Sequence, residues 1–182
     1  MRLILTTIPL AVLAGYLLGG RLRGLATASL RWPAIALAGV GLQFVPVEGT
    51  PGYLALLASF ACLITFAVAN ARQPGFVLIY VGLALNLAVI AIDQGMPVTR
   101  DALVISGQRE TLAELRKEAG SKHHLATDRD SLLFLADVIP VPPPVAQAIS
   151  VGDIAAHLGV AWFVMRGMQR RETVEPVSAG FA

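Results

Sequence analysis

The chain has 182 residues, of which 55% carry hydrophobic side chains and only 14% are charged. A soluble domain has about 25% charged residues, so the composition argues against a soluble protein and favours one whose solvent is lipid. The net charge of +2 is too small, and the arginines lie too close to the ends of apolar segments, to indicate a nucleic-acid partner.

Five apolar segments are candidates to cross a hydrocarbon layer, which needs about 20 residues of helix. We expect one membrane domain over residues 1–171, because these segments are too close together to build separate cores. Residues 172–182 are predicted to be a disordered cytoplasmic tail. The fold class is therefore an all-α polytopic membrane helix bundle with spans near residues 3–20, 32–47, 53–70, 76–92 and 145–165. Gly82, Gly152 and Gly159 are predicted to be close-packing positions between spans.

The basic residues predict the orientation of these spans. Lys and Arg are retained on the cytoplasmic side of short loops, and arginines occupy the first connection, the third connection and the end of the fifth span. The second connection, residues 46–52, has none. We therefore predict a multi-pass protein of the plasma (inner) membrane with its N-terminus outside and its C-terminus in the cytoplasm.

The fourth connection, residues 94–144, is the longest stretch outside the predicted spans. Residues 108–119 read as an amphipathic helix that ends at Gly120. A second short helix is predicted near Thr127, with Asp130 three residues on in the spacing of a capping box. Pro140 and the prolines at 142–144 then predict an extended return to the fifth span. This external segment is expected to meet lipid headgroups or a protein partner.

Polar residues form two stripes close to the outer face. Asn86 and Asp93 are seven residues apart on the fourth span, and Ser150, Asp153 and His157 follow one another at helical spacings on the fifth. Carboxylates in or near a span usually face a cavity or a partner. Two such groups in contact would have different proton affinities, as the acid and base of an aspartyl hydrolase do.

Each of these residues also has a structural interpretation. Ser150 and Asp153 have the spacing of a helix N-terminal cap, so Asp153 could simply satisfy backbone donors. Asp93 could open a turn at the interface. Side chains of the adjacent His123 and His124 diverge from one another, so we interpret both as solvated loop residues. No metal and no cofactor are predicted.

Three stretches together resemble a bacterial integral-membrane family that is catalogued only as a domain of unknown function. They are LNLAVIAIDQGMPV in the fourth span, KHHLATDRDSLLFLADVIPVP outside, and ISVGDIAAHLG at the start of the fifth span. In that family the first motif usually reads Asn-Gly-Gly-x-Met-Pro-Val, whereas Asp93-Gln94-Gly95 stands here. An Asn in place of Asp93 could not serve as a catalytic acid.

A looser resemblance is to the lipoprotein signal peptidase, a membrane aspartyl protease. In that family a span ends near G-N-x-x-D-R, a V-D-F motif follows outside, and the next span opens near N-x-A-D-x-x-I. Here Asn86 and Asp93 end a span, Asp137 lies in LADV, and Asp153 opens the next span. Asn86 is too far from Asp93 for that spacing, and Ser150 stands where Asn is expected. The resemblance implies Asp93 and Asp153 as catalytic residues.

Two functions are consistent with these residues. The first is a binding, scaffolding or accessory membrane protein whose polar residues, including Asp137, His123 and His124, lie near the outer face. The alternative is a membrane-embedded aspartyl hydrolase that uses Asp93 and Asp153, oriented by Asn86 and His157. The sequence leaves open whether the protein is an enzyme. A transporter subunit is less expected, because no inverted repeat is visible.

Overall fold

The structure is a computed structural model that describes residues 2–117, 120 and 122–170. The predicted disordered tail lies outside these residues. The described residues form eight α-helices: α1 (Arg2–Leu17), α2 (Leu22–Ala26), α3 (Pro33–Leu42), α4 (Gly49–Ala69), α5 (Phe76–Asp93), α6 (Arg100–Ile105), α7 (Arg109–Lys117) and α8 (Val151–Met168). Four short strands are β1 (Met96–Val98), β2 (His123–Leu125), β3 (Ile139–Val141) and β4 (Gln147–Ile149). The fold is thus mostly helical, with strands that the sequence did not predict.

Two of these helices are long and apolar enough to cross a membrane. α4 has 21 residues and α5 has 18, and both are strongly hydropathic. α1 and α3 are shorter apolar helices, and α3 ends at Leu42, before Pro46, which cannot continue a helix. α8 has 18 residues, but Asp153, His157 and Arg166 lower its hydropathy. Length and composition therefore support two candidate spans, not the five that were predicted.

The long helices pack side by side in one row. In spatial order the row runs α3, α4, α5, α8 and α1, and α2 packs against α8. The contact between α5 and α8 is close because glycines face it. A Cβ at Gly152 would lie 2.7 Å from the Gly82 carbonyl oxygen, and one at Gly159 would lie 2.8 Å from Ile79 Cγ1. These positions confirm the close-packing role predicted for Gly82, Gly152 and Gly159.

The described residues within 94–150, between α5 and α8, form a cap over one set of helix ends. β1 pairs with β2 in parallel, and β3 pairs with β4 antiparallel. The predicted helix at 108–119 is present as α7, whose last described residue is Lys117. The helix predicted near Thr127 is wrong: Asp130 Oδ2 accepts the Thr127 backbone N–H at 2.6 Å and closes a turn there. A single 3-10 turn, Leu133–Leu135, follows it.

The fifth predicted span begins later than expected, for a related reason. Residues 147–149 form β4 rather than helix, because they pair with the proline-containing strand β3. α8 then begins at Val151, after Ser150. The extended return predicted from the prolines is therefore one half of a small sheet.

Hydrogen bonds attach the cap to the two outermost helices of the row, α1 and α3. Leu3 N donates to Gln147 Oε1 at 3.0 Å, which joins α1 to β4. Lys122 Nζ donates to the Gln43 carbonyl oxygen at 2.6 Å, just past the end of α3. The space between the row and the cap is therefore bounded on both sides.

Candidate functional site

The polar stripes of α5 and α8 meet in one buried cluster. Asn86 Nδ2 donates to Asp153 Oδ1 at 2.8 Å, and Ser150 Oγ donates to Asn86 Oδ1 at 2.8 Å. Ser150 and Asp153 also form a capping box, since Asp153 N donates to Ser150 Oγ at 2.9 Å and Ser150 N donates to Asp153 Oδ2 at 3.2 Å. Each oxygen of the Asp153 carboxylate thus accepts an N–H. Ser150 and Asp153 therefore form a helix N-terminal cap, as the structural interpretation expected, and also belong to the polar stripe.

His157 extends this stripe one turn further along α8. Its Nδ1 lies 2.8 Å from the Asp153 carbonyl oxygen, and since a carbonyl only accepts, Nδ1 is the donor. The bond fixes the ring against its own helix. His157 therefore orients no group of another helix through this nitrogen.

Asp93 serves a different contact. Its Oδ1 accepts the Ser131 N–H at 2.9 Å and its Oδ2 accepts the Leu132 N–H at 3.4 Å, which attaches the cap to the end of α5. Asp93 is two helical turns, about 10 Å along the axis, from Asn86, and Asn86 is the residue that contacts Asp153. Asp93 and Asp153 share no hydrogen-bond partner among the described residues.

The acid that faces Asp153 is Asp137, which lies in the cap. Its backbone is held at β1, since Asp137 N donates to the Pro97 carbonyl at 3.0 Å and Thr99 N donates to the Asp137 carbonyl at 3.3 Å. Asp137 is only 7% exposed, and its Oδ1 finds no donor within the described part of the chain. Burial, with a smaller effect of the Asp153 charge, raises the pKa of Asp137 to about 8. The carboxyl is therefore protonated at neutral pH.

His123 and Lys122 lie beside Asp137. His123 Nε2 is 3.8 Å from Asp137 Oδ2. Burial lowers the pKa of His123, and this outweighs the attraction of the Asp153 charge, so the ring is neutral at pH 7. Its side chain is nevertheless 51% accessible and lines both of the cavities described below. Lys122 holds the charge of this group.

His124 points elsewhere and has a structural contact. Both histidines lie in β2, not in the solvated loop that was expected. His124 Nε2 is 2.9 Å from Asp130 Oδ1. Burial tends to raise the pKa of Asp130, but hydrogen bonds from His124 and Thr127 outweigh it and lower that pKa. Among residues 2–117, 120 and 122–170, no group of three or more His, Cys, Asp or Glu side chains is placed to hold a metal ion.

Two cavities lie between the helix row and the cap. The inner cavity has a volume of about 290 Å³, and the outer cavity has a volume of about 440 Å³. The walls they share are Lys122, His123, Asp137 and Gln147. The inner cavity adds the polar residues Gln43, Asn86 and Asp153 and the apolar residues Leu56, Phe60, Ile90 and Met96. It thus combines polar groups from the cap and from the row helices with apolar side chains of α4, α5 and β1.

Comparison with known proteins adds a family to this geometry. Residues 28–165 match the model of a family of unknown function, DUF5317. The chain belongs to this family. The match includes every residue of the polar cluster and both cavity acids. The family carries no assigned activity, as the resemblance to an uncharacterised membrane family led us to expect.

An uncharacterised relative adds detail. An uncharacterized protein of Thermotoga maritima is 35% identical over 112 residues, which are 59% of this chain and 61% of the relative. The alignment thus spans less than two thirds of that relative. No solved structure matches the chain. These comparisons give no support to the resemblance to the lipoprotein signal peptidase.

Sequence reasoning assigned Asp137 to the polar set but missed its position opposite Asp153. It also missed Lys122, Gln147 and Gln43 as cavity residues. One signal was present: Asp137 stands in LFLADVIP, where apolar residues surround a single acid. An acid in such a run is either buried or turned out to solvent, and the strand pairing at β1 decides for burial.

Proposed function

We propose that this chain is a small integral membrane protein whose helix row lies in lipid. The support is that only 28% of the residues in the apolar windows of α4 and α5 are buried inside the protein, whereas the core helix of a soluble protein is mostly buried. Large apolar side chains are exposed on each of the five row helices: Leu5, Leu37, Leu54, Val77 and Leu158. So much exposed apolar surface is typical of a membrane or protein contact. On this proposal the shorter helices also lie in the membrane.

The proposed orientation places the cap outside. The connections at the helix ends opposite the cap hold Arg21, Arg31 and Arg72, and Arg170 follows α8 there. That end is well ordered, since Asn70 Oδ1 accepts the Arg31 N–H at 2.8 Å. Arginines in short connections favour the cytoplasmic side, so the N-terminus and the cap would be external.

Within this frame we propose that the protein binds a small amphiphilic ligand in the inner cavity. The observation that carries the proposal is the cavity itself, which is lined by two carboxyl groups and by four apolar side chains. Ligand pockets combine apolar walls with a few placed polar groups in this way. A scaffolding role through the outer face of the cap would not need the cavity.

The test compares two substitutions on the same helix. Leu56 lines the inner cavity and is 6% exposed, whereas Leu54 is 58% exposed on the lipid-facing side. Wild type, Leu56→Phe and Leu54→Phe are extracted with a membrane-active polymer, and retained small molecules are identified by native mass spectrometry. We expect Leu56→Phe alone to lose a bound molecule. Equal retention in all three proteins would refute binding in this cavity.

A second candidate function is hydrolysis by two carboxyl groups. The observation that favours it is that Asp137 and Asp153 line one cavity while burial holds the pKa of Asp137 near 8. Asp137 would donate a proton to the leaving group and the Asp153 carboxylate would activate water. This pair replaces the pair of Asp93 and Asp153. Hydrolysis by Asp137 and Asp153 predicts that Asp137→Asn abolishes the formation of product from membrane extracts, measured by mass spectrometry. Asp93→Asn should leave product formation intact. The reverse result would exclude this pair.

A further inference from the structure

We infer that the ligand of the inner cavity carries a primary ammonium group, and that this cation displaces the proton of Asp137. The inference rests on the proposed ligand-binding function and names the chemistry of the ligand. The exchange is balanced: the Asp137 carboxylic acid and an alkylammonium ion give a carboxylate–ammonium pair, and one proton leaves for solvent. No bond other than the O–H bond of Asp137 is broken.

The charge of the inner cavity favours a cationic ligand. With Asp137 protonated and His123 neutral, the inner cavity holds the Asp153 carboxylate and the Lys122 ammonium, which balance. Lys122 is already committed to the Gln43 carbonyl oxygen at 2.6 Å. Ionisation of Asp137 leaves one net negative charge in a buried space, which is unfavourable unless a cation pairs with it. One monovalent cation restores the balance.

The position of the Asp137 side chain also favours a ligand that donates hydrogen bonds. The Asp137 backbone is hydrogen-bonded to Pro97 and Thr99, so the residue is fixed in the cap, and its side chain is buried there. Its Oδ1 finds no donor among the described residues, and its Oδ2 is 3.8 Å from the nearest nitrogen of His123. An ionised carboxylate in this position needs donors that the described residues do not supply.

A primary ammonium meets this need better than other cations. It offers three N–H donors, and two carboxyl groups that can accept them, Asp137 and Asp153, line the cavity. A quaternary ammonium offers none. The structure places no cluster of metal ligands in the described residues.

The apolar wall sets the rest of the ligand. Leu56, Phe60, Ile90 and Met96 line the same cavity as the two acids. Its volume of about 290 Å³ is just below the range for ligand pockets, roughly 300–1,000 Å³. A short or medium alkyl chain fits this shape. The same chemistry is offered by a free alkylamine and by the aminoethyl headgroup of a lipid.

Several charged groups surround Asp137 and contribute to the pH dependence. His123 and Lys122 face it from the cap and Asp153 faces it from α8, while the outer cavity adds Arg2, Glu48 and Glu114. Of these, His123 has its pKa lowered by burial and so takes no proton in the range between pH 7 and pH 8. Proton release that wild type shows and Asp137→Asn lacks therefore reports Asp137.

The experiment is calorimetric titration of n-octylammonium into the full-length protein in phosphatidylcholine nanodiscs, with empty nanodiscs as the blank. Titration at pH 7 in phosphate and in HEPES, which differ in ionisation enthalpy and contain no primary ammonium group, counts the protons released. We expect about one proton per ammonium bound and an apparent affinity that rises about tenfold from pH 6 to pH 7. n-Octanol and octyltrimethylammonium should bind at least tenfold more weakly.

Asp137→Asn is the decisive variant. Its binding of n-octylammonium should lose the proton release and weaken at least tenfold, while its binding of n-octanol, which needs only the apolar wall, stays unchanged and shows that the cavity is intact. Binding of n-octylammonium without proton release in wild type would overturn the inference and leave the proposed function standing. Failure of every octyl compound to bind above the blank would overturn both.

A further titration distinguishes the two sources of the ammonium group. When phosphatidylethanolamine is added to the nanodiscs, a lipid ligand would compete, so n-octylammonium would bind more weakly and release less than one proton. With a free amine as the ligand, the added lipid would leave both quantities unchanged. Either result supports an ammonium site at Asp137 and identifies where the amine comes from.

Discussion

Substitution of Asp137 by Asn should change how the stability of the protein depends on pH. Asn has the size of the protonated acid and cannot ionise, so it fits the buried position in the form that the fold favours. In wild type, burial raises the pKa of Asp137 from its ordinary value of 3.8 to about 8. Between those values the folded protein keeps a proton that the unfolded chain has released.

The sign and the size follow from this difference in bound protons. When the folded state binds more protons than the unfolded state, the free energy of unfolding falls as pH rises. The contribution is fully present below pH 4 and is lost progressively up to pH 8. Each pH unit in this window costs about 1.36 kcal/mol. Wild type should therefore lose on the order of 4 kcal/mol relative to Asp137→Asn between pH 5 and pH 8.

The assay is unfolding in nanodiscs or mild detergent, followed by tryptophan fluorescence at pH 5, 6, 7 and 8. Asp101→Asn is the matched control, because Asp101 is an exposed acid in the same cap. Wild type and Asp101→Asn should share one pH profile, and Asp137→Asn should be flatter. Parallel profiles for wild type and Asp137→Asn would refute the buried, protonated state of Asp137 and remove the basis for proton exchange.

Three further substitutions test the packing around the site by thermal unfolding. Gly152→Ala places a Cβ against the Asn86 amide and the α5 backbone and should cost about 1–3 kcal/mol, whereas Gly41→Ala, with open space around it, should cost nothing; equal effects would contradict the close contact. Asn86→Leu leaves Asp153 Oδ1 without its donor and the Ser150 hydroxyl without its acceptor and should cost about 1–3 kcal/mol per group, which a fully stable variant would disprove. Asp93→Asn should cost about 1 kcal/mol through the bonds between α5 and the cap, and it should leave ligand binding and proton release unchanged; a loss of binding would return Asp93 to the site.

The sequence predicted those parts of the fold that depend on local composition. α4 and α5 were placed at 53–70 and 76–92 and are found at Gly49–Ala69 and Phe76–Asp93, because each is an unbroken apolar run. The polar stripes predicted on α5 and α8 also meet, since Asn86 bonds to Ser150 and Asp153 across the contact between these helices. Helical periodicity determines which residues share a face, and that was enough to join these three.

The cap could not be predicted in this way, because its structure depends on distant pairings. β1 pairs with β2 across a separation of 27 residues, since Met96 lies opposite His123, and each strand has only three residues. Such strands are too short to show a period of two. Asp137 is buried only because it bridges to Val98 at the end of β1. Its burial, and so its raised pKa, is a property of the tertiary fold.

The two acids of the inner cavity are held by different parts of the chain. Asp153 is fixed by the N-terminus of α8, and Asp137 is fixed by the backbone of β1 in the cap. The gap between them therefore depends on how the cap docks on the helix row, through Lys122 to α3 and through Gln147 to α1. Loosening either contact would admit water to Asp137 and lower its pKa toward the ordinary value. Lys122 and Gln147 thus help to hold the cap, and with it Asp137, against the helix row.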